Sequence, residues 1–148
     1  MKGLSYVMVK PEFANNHSVI AEVKHRLTDA GLEIAKASYI QYSVEDAQAH
    51  YAEHVGKDFY PALEKYITSD IAYGMIVEGE DAITTIRELV GSTKNPAEGT
   101  IRYDIPVMLG LEHRVRENVV HASDSVESAE KEIAIFERNI EHRNKCGL

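Results

Sequence analysis

Four β-rich runs alternate along this chain with helical stripes, and glycine, proline or serine punctuates most of the boundaries; nothing else narrows the possible folds so much. Residues 5–10 form an apolar run stopped by Pro11, which reads as a buried strand. Val19, Ile20, Val23 and Leu27 make a helical stripe over 18–30, closed by Gly31. Residues 32–42 read as a second strand. Ser43 then opens a helix over 44–53 with Asp46 as its capping partner. A further helix over 59–69 follows the turn at Gly56, and residues 71–77 read as a third strand. Ile83, Ile86 and Val90 point inward from a helix over 81–90 that ends at Gly91. Residues 92–117, with Pro96 and Pro106, read as irregular. A fourth strand covers 119–121, and a helix runs from Ser123 with Val126, Ala129, Ile133 and Phe136 on one face.

This order contains a split β-α-β pair. It predicts an α+β, ferredoxin-like fold: a four-stranded antiparallel sheet with helices packed on one face. With 148 residues and no repeat or linker, the chain reads as one domain over 1–148. The irregular stretch is long enough to suggest a functional loop or an oligomer contact.

A net charge of −8 argues against nucleic acid or an anionic membrane as partner. Any phosphate-bearing ligand must find a local cluster of cations. The single cysteine, Cys146, has no intramolecular disulfide partner, and no apolar run suits a signal sequence or a membrane span; the expected location is cytoplasmic. Gly74 and Gly79 have P-loop spacing, but Glu80 and Asp81 stand where lysine and serine or threonine belong. A phosphate site would therefore be assembled from separated side chains, with Lys10, Arg87, Arg102 and Thr93 as candidates. Arginine suits the task because its planar fork can hold two phosphate oxygens.

The strand-to-helix junction Asn118-Val119-Val120-His121-Ala122-Ser123-Asp124-Ser125 delivers a histidine at a rigid edge. A neutral imidazole is a nucleophile, and its ordinary pKa of about 6.5 leaves most of it uncharged at neutral pH. The junction and the sequence after it, through Ser128-Ala129 and Glu132, resemble the nucleoside diphosphate kinase motif N-x-x-H-G-S-D-S-x-x-S-A-x-x-E, with Ala122 for the usual glycine. Val7-Met8-Val9-Lys10-Pro11, His50-Tyr51-Ala52-Glu53-His54, Phe59-Tyr60-Pro61, Arg87, Thr93, Asn95-Pro96 and Gly99-Thr100-Ile101-Arg102 follow in that family's order, so the resemblance covers nearly the whole chain.

The resemblance implies a ping-pong kinase that maintains nucleoside triphosphate pools. His121 would take the γ-phosphoryl group of a nucleoside triphosphate, typically ATP, and pass it to a nucleoside diphosphate. It assigns Lys10, Tyr51, Arg102 and Asn118 to the reacting phosphates or the ribose. Arg87 and Thr93 fall to the β-phosphate region, Phe59 to stacking on the base, and Ser123 and Glu132 to orienting the histidine. Mg²⁺ would enter on the nucleotide, with no protein side chain as its ligand. The resemblance also implies a homo-oligomer, whether hexamer, tetramer or dimer.

The chain departs from the family at Tyr103, where glycine is usual, at Glu12-Phe13, and in a longer segment between Arg102 and Asn118. That segment holds His113, Arg114 and Arg116. Two other readings compete. His50, Glu53 and His54 have the spacing of an inverted zinc-peptidase motif. A non-catalytic nucleotide-binding or assembly module would bind nucleotide yet never carry phosphate on His121.

Overall fold

The computed structural model describes residues 2–111 and 119–145, with side chains described to 141. Its elements are β1 (Lys2–Val9), α1 (Pro11–Ala14), α2 (His17–Asp29), β2 (Glu33–Ile40), α3 (Val44–His50), a 3₁₀ turn (Ala52–His54), α4 (Tyr60–Thr68), β3 (Ala72–Glu80), α5 (Ala82–Val90), α6 (Ile101–Met108), β4 (Val120–Ala122) and α7 (Val126–Lys145). The strands form a four-stranded sheet in the order β2-β3-β1-β4, every neighbouring pair antiparallel. This is the ferredoxin-like α+β arrangement.

Helices cover both faces of the sheet, which corrects the expectation of one. β1 lies between β3 and β4, and its residues from Ser5 to Val9 are all buried. Strand side chains alternate between faces. Val7, Val9, Met75 and Val77 therefore join Val23 and Leu27 of α2 with Ile86 and Val90 of α5 in one core. Tyr6, Met8, Ile40 and Ile76 join Ala47 of α3, Ile67 of α4, and Ile135 and Phe136 of α7 in the other. A central strand sandwiched in this way reads as a continuous apolar run.

Several local expectations need correction. α3 stops at His50 rather than Glu53, because the chain turns into the 3₁₀ segment at Tyr51; the Ser43 and Asp46 capping box is present. Ile83 is only half-buried, and Val126 is exposed at the start of α7. The buried residues of α7 include Ala129, Glu132, Ile135 and Phe136, so a carboxylate occupies the inward stripe. Gly74 and Gly79 lie within β3, not in a phosphate loop.

The stretch expected to be irregular contains α6. Ile101 and Ile105, one helical turn apart, are fully buried in the first core, and that packing holds a helix that carries Pro106 inside it. Asn118, His113, Arg114, Arg116 and Cys146 lie outside the described residues. Among the described residues no helix is long and apolar enough to cross a membrane.

Candidate active site

Register decides where His121 points. It pairs with Met8 across β1 and β4, so its side chain shares the face of Tyr6 and Met8, toward α3 and α7. Its neighbours Val120 and Ala122 point to the opposite core. Beyond Ala122 the chain stays clipped to β1 through Ser123, whose backbone N–H donates to the Tyr6 carbonyl at 3.1 Å. The Tyr6 N–H in turn donates to Ser123 Oγ at 3.1 Å. Ser125 caps the helix that follows, its Oγ accepting from Ser128 N at 3.0 Å.

Glu132 projects from α7 behind the imidazole. Its Oε1 lies 2.9 Å from His121 Nε2 and also accepts the Ser123 hydroxyl at 2.6 Å. Glu132 and Ser123 are both buried, so this chain of bonds is held rigidly. With Nε2 engaged, Nδ1 is the nitrogen left for chemistry.

His121 opens onto a cavity of about 290 Å³ whose lining includes Lys10, Tyr51, Arg87, Thr93 and Arg102. Lys10 sits at the end of β1, its backbone N–H bonded to the Val119 carbonyl at 2.9 Å. Arg102 enters from α6 and spans the cavity wall. It donates to Gly91 O at 2.8 Å, Thr93 Oγ1 at 3.3 Å and Val120 O at 3.0 Å. Gly91, with φ of +93°, presents that carbonyl in a conformation most side chains disfavour; an added Cβ would lie 2.6 Å from Thr100. Arg87 Nη1 reaches Ala122 O at 3.4 Å.

These partners of Arg87 and Arg102 are neutral oxygens, so none of them cancels the charge. Burial, then the Arg102 charge, brings the Lys10 ammonium down to about 8. Burial, then Arg87, brings the Arg102 guanidinium down to about 10. Like charges crowded into a partly dry cavity in a chain of net charge −8 describe an anion site. Burial, with Glu132 nearby, pushes the Tyr51 phenol well above its ordinary range, so it remains a hydroxyl donor.

Of the remaining candidates, Phe59 is 46% exposed and does not line the cavity. Its ring lies 5.4 Å from that of His54, which does. Ser123 is packed behind the site. His50, Glu53, His54, Asp124 and Ser128 also line the cavity, and the reading of the kinase site from sequence did not include them. The signals available were the placing of His50 directly before Tyr51, and of Asp124 and Ser128 inside the histidine block. His50 and His54 do not lie on one helix as the peptidase pattern requires, since α3 ends at His50; among the described residues the group with a geometry that could hold a metal ion is His50, His121 and Glu132.

The family model for nucleoside diphosphate kinase matches residues 4–141. The chain belongs to the nucleoside diphosphate kinase family. The nucleoside diphosphate kinase of Listeria monocytogenes is 42% identical over 135 residues, covering 89% of this chain and 86% of that protein. That of Methanobrevibacter smithii is also 42% identical, covering 89% and 85%. Among solved structures, the halophilic nucleoside diphosphate kinase from Halobacterium salinarum in complex with CDP superposes with a TM-score of 0.82 at 34% identity, over 92% of this chain and 88% of that one. The apo enzyme from Encephalitozoon cuniculi gives 0.80 at 29% identity, over 90% and 87%.

Proposed function

We propose that the chain transfers the γ-phosphoryl group of a nucleoside triphosphate to a nucleoside diphosphate through a phosphohistidine on His121. One observation carries this reading: a histidine held at Nε2 by a buried carboxylate faces a cavity lined by Lys10, Arg87 and Arg102. The Nδ1 lone pair forms a bond to phosphorus while the bond from phosphorus to the β-phosphate oxygen breaks. The nucleoside diphosphate leaves with that electron pair. An incoming diphosphate reverses the step, which gives ping-pong kinetics.

The side chains divide the work. Glu132 fixes the tautomer and steadies the imidazolium character that develops during attack; Ser123 fixes Glu132. Lys10, Arg102 and the Tyr51 hydroxyl face the charge on the transferred group, while Arg87 and Thr93 hold the β-phosphate region. The family resemblance assigns Asn118 to the reacting phosphates or the ribose. The cavity volume suits a phosphate tail better than a whole nucleotide. The nucleoside then lies toward Phe59, whose exposed ring offers a stacking surface indifferent to the base.

Mg²⁺ fits this site as a companion of the phosphates. The cations of the lining oppose a bare divalent ion, and Asp124, a carboxylate of the lining, is engaged by Ser128 Oγ at 2.7 Å. When bound it supplies charge neutralisation on the phosphate oxygens, with waters as its remaining ligands. The exposed Tyr103, Val107, Met108 and Leu111 at α6 support a homo-oligomer.

Incubation with γ-labelled ATP tests the reading. Acid-labile, alkali-stable label should form, discharge onto GDP and be lost in His121→Asn. Label persisting in that variant would remove His121 from the mechanism, and binding without label would favour a non-catalytic module.

A further inference from the structure

His50 is buried at 4% relative exposure, and neither ring nitrogen meets a hydrogen-bond partner among the described residues. Aromatic rings enclose it: Tyr51 with centroids 4.5 Å apart, Tyr42 at 5.5 Å and Tyr6 at 6.3 Å. The fourth ring is His121, edge-on at 4.5 Å and 66°. His50 also lines the cavity onto which His121 opens. Buried donors are ordinarily hydrogen-bonded, and the side of His50 that lines the cavity is open to a partner held there.

The position restricts what that partner is. Burial, then the charges of His121, Lys131 and Lys10, holds the His50 imidazole well below the ordinary histidine range. It is therefore a neutral ring carrying one N–H. The His50 and His121 rings stand with centroids 4.5 Å apart and line one cavity, so an oxygen of a group carried on His121 can come within a hydrogen-bond distance of about 3 Å of the His50 ring. Together with Glu132 the two histidines also have the makings of a metal site. Lys10 and Arg102 in the same lining oppose a divalent cation and favour an anion.

We infer that His50 donates a hydrogen bond to the phosphoryl group as it moves onto His121 and while it resides there, which makes His50 a further catalytic residue of the transfer. This rests on the reading of His121 as the nucleophile. A neutral donor is useful beside three cations because it stabilises the equatorial oxygens without adding to charge repulsion in the empty cavity. The aromatic enclosure keeps the ring from turning away to find water.

Two variants and one spectroscopic measurement test the inference on the full chain. His50→Phe keeps a flat ring and removes the N–H; His50→Gln keeps a donor. Single-turnover phosphorylation by ATP should slow at least tenfold in His50→Phe and recover most of that loss in His50→Gln, with nucleotide KM little changed in either. A folded His50→Phe as fast as the parent would overturn the inference. So would a folded His50→Gln as slow as His50→Phe.

Should either variant fail to fold, ¹⁵N-labelled parent protein decides. The His50 ring N–H signal, assigned through its contacts to Tyr42 and Tyr51, should move downfield and exchange more slowly once His121 is phosphorylated. An unchanged signal in protein shown to carry phosphohistidine sinks the role of His50 alone. Failure of the parent to form phosphohistidine sinks this inference and the proposed function together.

Discussion

Glu132 meets His121 at 2.9 Å, Oε1 to Nε2, across the gap between α7 and β4. The contact joins the inward stripe of a helix to the last strand of the sheet, and Ser123 locks it from the strand side. This fixes which imidazole nitrogen faces the cavity.

Glu132→Ala should therefore lower the rate of phosphohistidine formation by roughly 10²-fold, the scale of a misoriented reacting group. Glu132→Gln, which can still meet Nε2, should lose less. Rapid-quench measurement of phosphoenzyme formation separates the two, and equal rates in all three proteins would remove the orienting role.

Lys10 sets a pH limit. In the proposed function its charge attracts phosphate below about pH 8 and is lost as pH rises through that value. For the free protein kcat/KM should fall above about pH 8, and Lys10→Gln should lack that limb of the profile. Stability runs the other way. The unfolded chain keeps this proton to about 10.4, so between about 8 and that value it binds more protons than the folded state, and the Lys10 contribution to stability rises with pH.

Arg102→Lys should reduce kcat/KM by roughly 10²–10³, the scale for loss of a positioned charge donor. Lysine keeps the charge but cannot reach Gly91 O, Thr93 Oγ1 and Val120 O with one planar fork. Steady-state kinetics with varied nucleotide reads the effect, and a near-normal value would mean that charge alone suffices.

Asp46 does not line the cavity. It accepts from Ser43 N at 3.1 Å, Arg138 Nη2 at 3.0 Å and Asn139 Nδ2 at 3.2 Å, tying the start of α3 to α7. Asp46→Ala should cost about 1–2 kcal/mol in denaturant unfolding while the stoichiometry of phosphohistidine is unchanged. A loss of phosphorylation in folded protein would show that this tie also shapes the site.

The strands and the longer helices could be read from residue pattern because their signals are local. The capping box of Ser43 and Asp46 and the stripe Val19, Ile20, Val23, Leu27 each lie within a few turns of chain. α6 could not be read this way, since Ile101 and Ile105 form a helix by reaching a core built by β1, α2 and α5, and Pro106 hid them. The same limit misread α7: a stripe drawn from apolar residues omits Glu132, which is buried because His121 and Ser123 satisfy it.

The chain by itself determined the histidine block and the alternation that makes this sheet, since each depends on residues near one another in sequence; it supplied the cations Lys10, Arg87 and Arg102 without showing that they meet. Only the tertiary structure decided that Met8 stands opposite His121, that Arg102 spans from α6 to β4, and that His50 lies edge-on to the His121 ring. Those relations join residues 18 or more positions apart, and a shift of one residue in the pairing of β1 with β4 would turn His121 into the opposite core.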